Sequence, residues 1–191
     1  ASRIIAVKAE TYDRSINENG KQDTENIFQA VLRVGREVSR DHQVDAVAIS
    51  GIWHSICLCD ENFIPQFPTY TWQFSETDRI CQNVRLDEEL TDEIYHRTGC
   101  MPNITYQPYT LMYLRQQGID ITQYKLLSQG GYIFHHLTQH WWETKSMLSG
   151  MGFLNTTSKE LDPMILEKAG ISGEQFGELI EFLRNKKDEL E

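Results

Sequence analysis

Residues 44–62 limit most sharply the folds open to this chain. Val44-Asp45-Ala46-Val47-Ala48-Ile49 is apolar on both faces apart from Asp45, the pattern of a parallel strand buried between two layers. The run breaks at Ser50-Gly51, the bulky pair Trp53-His54 follows, and a second apolar run, Ile56-Cys57-Leu58-Cys59, ends in the polar turn Asp60-Glu61-Asn62. Upstream, Ile27, Val31, Val34 and Val38 recur at helical spacing and make one stripe of a helix. Helix then buried strand is half of an α/β crossover. The Trp-His pair then falls at the mouth of a sheet, where open α/β sheets bind small ligands.

The remaining elements are read from their punctuation. Ile4-Ile5-Ala6-Val7 predicts a short strand, and Asp23 or Thr24 caps the first helix. Thr69-Tyr70-Thr71-Trp72 predicts another strand, Gly99 a helix stop, and Tyr109 to Gln117 a helix ended by Gly118. Lys125 to Ser128 is a strand candidate, and Tyr132 to Leu137 returns to helix. Asp162-Pro163 starts a helix, with Asp as cap and Pro in the first turn. Ser172-x-x-Gln175 is a capping box for the last one. No repeat or linker divides the chain, so 191 residues are expected to form one domain.

Charge and cysteine usage exclude some functions. A formal net charge of −10 argues against nucleic-acid or anionic-membrane partners, which need clustered Lys and Arg. The most basic cluster, Arg184-Asn185-Lys186-Lys187, precedes Asp188 and Glu189 and reads as a solvated helix face. Cys57 and Cys59 share a strand face, and no CxxC pair suits zinc. No apolar run approaches a membrane span, and no signal peptide is evident. Reduced cysteines in a cytoplasmic protein are expected. The chain begins Ala1-Ser2 rather than with Met, in keeping with a piece of something longer.

Several stretches together resemble the N-terminal domain of the FGGY carbohydrate kinases. Gln22-Asp23-Thr24-Glu25-Asn26-Ile27-Phe28-Gln29-Ala30-Val31 resembles "QDPEDIWQAV", and Ala48-Ile49-Ser50-Gly51-Ile52-Trp53-His54-Ser55 resembles the "ISxQMHS" segment of the gluconokinase and xylulokinase branches. Thr69-Tyr70-Thr71-Trp72-Gln73 is similar to "xxxWxDxR", and residues 95–102 to "YxxTGxP". Residues 132–138 are similar to "DYIxxxLTG" and residues 146–152 to "SxASxTG". Their collinear order from about Arg3 to Ser172 carries the match. It implies an actin-like, ribonuclease-H-like α/β domain, the sugar-binding half of an ATP- and magnesium (Mg2+)-dependent kinase for a small sugar or sugar acid. The family's opening "DxGTS" hairpin and its C-terminal nucleotide domain are absent from the 191 residues. The resemblance therefore implies an incomplete domain, truncated at both ends, without ATP or Mg2+ bound and inactive by itself.

Within the matched part, the Asp and Arg of "WxDxR" are Phe74 and Glu76, the Asp of "DYI" is Gly131, and the Asp of "TDxS" is Thr144. The resemblance implies substrate-binding roles for Trp53, His54, Trp72 and Gln73, with Glu76 at the rim. Each has a plainer reading: His54 as a core histidine, Trp53 and Trp72 as core aromatics, Phe74 as simple packing, Glu143 as a surface carboxylate. His136 and His140, four apart, lack an HExxH pattern, so no metal is expected. Gln129-Gly130-Gly131 is too short for a phosphate cradle. The rival function is a non-catalytic, kinase-derived binding or scaffold domain. Orphaned strands at Ile4–Val7 and Val44 imply mutual pairing, an edge-to-edge homodimer, or strands from a longer protein.

Overall fold

A computed structural model describes residues 3–13 and 17–181; the basic cluster at Arg184–Lys187 lies outside the described residues. A short hairpin, β1 (Asn17–Glu18) and β2 (Lys21–Gln22), leads into α1 (Thr24–Ser39). Asp23 caps α1 by accepting from the Asn26 amide at 2.9 Å. The hairpin turns on Asn19-Gly20, both at positive φ, the dipeptide such turns favour. Gly20 is required twice over, since a Cβ there would stand 2.2 Å from the Phe74 amide nitrogen.

The next strands are β3 (Ser55–Cys59), β4 (Thr69–Thr71) and β5 (Lys125–Leu127), giving a sheet ordered β1-β2-β4-β3-β5 with antiparallel neighbours throughout. Between β4 and β5 run α2 (Asp78–Arg85), α3 (Glu88–Thr98) and α4 (Gln107–Gln116). After β5 come α5 (Gln129–Thr138), β6 (Trp142–Thr144), α6 (Lys145–Met151), α7 (Pro163–Ala169) and β7 (Glu178–Ile180). Strands β6 and β7 pair in parallel in a second, two-stranded sheet.

β3 is buried on both faces, and its alternation divides the core. Ile56 and Leu58 point into a cluster with Phe74, Leu111, Leu114, Met151 and Phe176, built on α4 and α6. Cys57 and Cys59 point the other way, against Phe28 of α1 and Tyr132 and Ile133 of α5. Their sulfurs are 3.5 Å apart, and all four cysteines are free.

The caps follow the sequence closely. Gly99 ends α3 at φ 73°, and Asp162 caps α7 by accepting from Met164 and Ile165 amides. The Ser172–Gln175 capping box is present, but it opens a single 3-10 turn, residues 173–176, rather than a long helix. α5 ends at Thr138 with Gln139 left-handed, so His140 lies beyond the helix that carries His136. No described helix is long and apolar enough to cross a membrane.

Two expected strands do not form. Ile4–Val7 and Val44–Ile49 carry no strand hydrogen bonding, and the large apolar side chains there are open to solvent, Ile4 at 82% and Val47 at 72%. Their mutual pairing, the simplest repair, does not occur. The sequence pattern marks residues 4–7 as a short strand and 44–49 as a buried one, but a strand exists only with a neighbour to bond. The first segment instead runs along the solvent side of α1, tied by Lys8–Glu37 and Arg33–Glu10 ion pairs.

Candidate functional site

The Trp53-His54 turn sits just ahead of β3. His54 has φ 55°, a left-handed conformation uncommon outside glycine, though more open to His than to most side chains. Three bonds hold it. Gln107 Nε2 donates to the His54 carbonyl at 2.8 Å, Ser55 Oγ donates to the Ile52 carbonyl at 3.1 Å, and the Gln129 amide donates to Ser55 Oγ at 3.1 Å. The His54 ring lies 5.1 Å from Trp53 and 5.6 Å, edge-on, from Tyr106. Trp53 lies over Gly150, where a Cβ would stand 2.0 Å from the indole Nε1. Burial pushes the His54 imidazole below its ordinary pKa, opposed in part by a hydrogen bond the ring makes to the Gly150 backbone, and this direction favours the neutral ring.

Gln73 and Glu76 line a polar recess of about 470 Å3 with Asn17, Asn19, Gly20 and Ser75. Glu76 pairs with Lys21 at 3.2 Å and accepts a short hydrogen bond from the Tyr113 hydroxyl. The Tyr113 hydroxyl first, then Lys21, holds its carboxyl below the usual range. Trp53, His54 and Trp72 are not on the wall of this recess. Ser55 pairs with Thr71 as the last step of the β3–β4 ladder, and His54 and half-exposed Trp72 follow just outside it at the same end of the sheet. Phe74 is fully buried in the core, as its plain reading required.

Glu143 reverses its sequence expectation. It is buried, at 5% exposure, and its Oε2 accepts from the Ser128 amide at 2.9 Å at the start of α5. Burial raises its pKa, against bonds from Ser128 and Thr144 that lower it. The start of α5, Gln129-Gly130-Gly131, is glycine-rich, and a carboxylate already stands there. The Glu143 side chain fills the space over Gly131 and takes the Ser128 amide, so this entry has neither room nor that donor for a phosphate. Among the described residues no three His, Cys, Asp or Glu side chains converge as metal ligands.

Sequence reasoning missed Gln107, Thr110, Tyr106 and Gly150 around the Trp53-His54 turn. Gln107 opens α4 directly before Pro108, where a polar residue reads as a solvated first turn, and no local pattern marks it as buried.

A sheet covered by helices on both faces makes this an α/β domain, and its fold is the actin-like, ribonuclease-H-like one of its structural neighbours. Solved structures bear this out: the gluconate kinase of Lactobacillus acidophilus aligns with TM-score 0.79 at 22% identity over 86% of this chain and 34% of its own. The ligand-bound xylulose kinase from the same organism aligns equally well. The gluconokinase of Bacillus subtilis (strain 168) is 25% identical over 166 residues, 84% of this chain and 32% of the relative. The N-terminal domain of the FGGY family of carbohydrate kinases matches over residues 1–184, and the chain belongs to that family. It spans about a third of the length of the relatives it matches.

Proposed function

We propose that these residues form the sugar-side domain of an ATP-dependent kinase that moves the γ-phosphate to a hydroxyl of a small sugar or sugar acid. The Trp53-His54 turn carries this reading. It falls in the segment resembling the gluconokinase and xylulokinase motif, and it joins a half-exposed aromatic face to a neutral imidazole. Such a pair suits the apolar face and the hydroxyls of a sugar. Trp72 follows β4 at the same end of the sheet, with Gln73 and Glu76 on the polar recess. ATP and Mg2+ belong to parts of the enzyme other than the described residues, and the reaction is placed in the cytoplasm. The exposed apolar segments at residues 4–7 and 44–49 take either the remainder of the kinase or a second copy as partner.

The test is calorimetric titration of the 191-residue chain with gluconate and xylulose, alongside a coupled assay with ATP and magnesium. Sugar binding lost in Trp53→Ala and His54→Ala, with phosphate transfer at background, is the expected result. Turnover by the 191 residues that depends on Trp53 and His54 would contradict the division of labour. The second reading, a kinase-derived binding domain without catalysis, draws on Phe74, Glu76, Gly131 and Thr144 standing where the family keeps charged residues. Turnover by the longest native form of the protein separates the two.

A further inference from the structure

We propose that the first turn of α4 is a hydroxyl-binding subsite, where Gln107 and Thr110 hold a neutral hydroxyl of a polyol beside His54. The inference deepens the sugar-side reading above and rests on it. Gln107 is fully buried. Its Nε2 donates to the carbonyls of His54, at 2.8 Å, and Thr105, at 3.3 Å. Two carbonyl partners fix which end of the amide is nitrogen, and they leave Oε1 as a buried acceptor with no partner. Thr110 is also fully buried, three residues on along the same helix face. Its Oγ1 has no partner, and neither does Nδ1 of His54. Buried polar atoms are nearly always paired, and here two unpaired ones lie one turn apart on α4 and a third on the residue whose carbonyl Gln107 holds.

The chemistry of these atoms selects the ligand. Gln107 Oε1 only accepts, so its partner must bring a hydrogen. A carboxylate or phosphate oxygen brings none. Thr110 Oγ1 and a neutral imidazole nitrogen each donate or accept. A hydroxyl does both, and it fills such a set without charge. No carboxylate stands among the three atoms to call for a cation. A sugar acid bound here therefore turns its hydroxyl-bearing end toward α4 and its carboxylate away.

The experiment titrates the 191-residue chain with xylitol and with D-gluconate by calorimetry, for wild type, Thr110→Val, Gln107→Met and Trp53→Ala. Thermal unfolding of each variant is followed without ligand. Thr110→Val removes an unpaired hydroxyl at nearly constant volume, so its melting temperature stays level or rises. Its affinity for both ligands falls about fivefold or more, and Gln107→Met falls further. If wild type binds, Trp53→Ala does not, and both α4 variants bind as wild type, the subsite is overturned while the sugar-side reading stands. A lower melting temperature for Thr110→Val with unchanged affinity marks a structural water at these atoms and also overturns it. Wild type that binds neither ligand overturns the reading and the inference together.

Discussion

The carboxylate of Glu143 stands where a side chain on Gly131 would go: a Cβ built on Gly131 lies 2.6 Å from Glu143 Oε2. The family resemblance places an Asp at position 131, and this chain has glycine there with a carboxylate reaching in from β6. The two positions are one site shared by two residues. Gly131→Asp should destabilise severely, while Gly131→Asp with Glu143→Ala should recover much of the loss. A double-mutant cycle in denaturant is expected to show a coupling of about 2 kcal/mol. Additive effects would mean the positions are independent.

Glu143 also sets a pH dependence. Its folded-state pKa is raised by burial, so the native state binds its proton more tightly than the unfolded chain does. Stability from this group is then greatest at low pH, and it falls as pH rises above the ordinary carboxyl value through the raised one. The stability difference between wild type and Glu143→Gln, measured by urea unfolding across that range, should move against wild type with rising pH. A flat difference would refute it.

Asp162 behaves oppositely. It is fully buried and accepts from Arg97 Nε at 2.9 Å, Asn155 Nδ2 at 2.8 Å, and two amides at the start of α7. Burial raises its pKa, but the bonds from Asn155, Arg97 and Ile165 outweigh that and hold it low. Its contribution is present above the ordinary Asp value and is lost as pH falls through the lowered one. Asp162→Ala should cost about 3 kcal/mol at neutral pH, combining a lost cap with buried groups left unpaired. Chemical denaturation measures it directly.

Gly150→Ala should separate folding from binding. Alanine gains about 1 kcal/mol of helix propensity in α6, but its Cβ collides with the Trp53 indole. Half-exposed Trp53 is free to swing outward. The expected variant melts near or above wild type, shifts its fluorescence difference spectrum against Trp53→Phe to the red, and no longer binds sugar. Retained binding would show that Trp53 is not part of the sugar site.

The exposed segments predict self-association. Ile5, Val7, Val44 and Val47 face water, and extended apolar backbone without partners recruits another chain. Light scattering on the isolated 191 residues should show concentration-dependent association. Ile5→Lys with Val47→Lys should abolish it without lowering the melting temperature. Monomers at every concentration would remove the second-copy alternative.

The sequence announced what is local and hid what is shared. Asp23, Gly99, Asp162 and the Ser172–Gln175 box each act within a few residues, and each was legible. The strands at Ile4 and Val44 were legible as composition only, because strand formation needs a neighbour that no local pattern supplies. Glu143 read as surface because burial of a carboxylate depends on Ser128 and Gly131, more than ten residues away. Gln107 was silent for the same reason: its partner, the His54 carbonyl, lies 53 residues upstream.

Gln175 does more than complete a capping box. Its Nε2 donates to the carbonyls of Ile121 and Tyr124, at 2.9 and 2.8 Å, the two ends of the turn that delivers β5 to the sheet. Those carbonyls have waited through some fifty residues of chain. During synthesis, which releases the N-terminal part first, the entry to β5 gains this clasp only after residue 175 has left the ribosome. A ribosome paused before that point holds a domain whose clasp on β5 is still inside the exit tunnel.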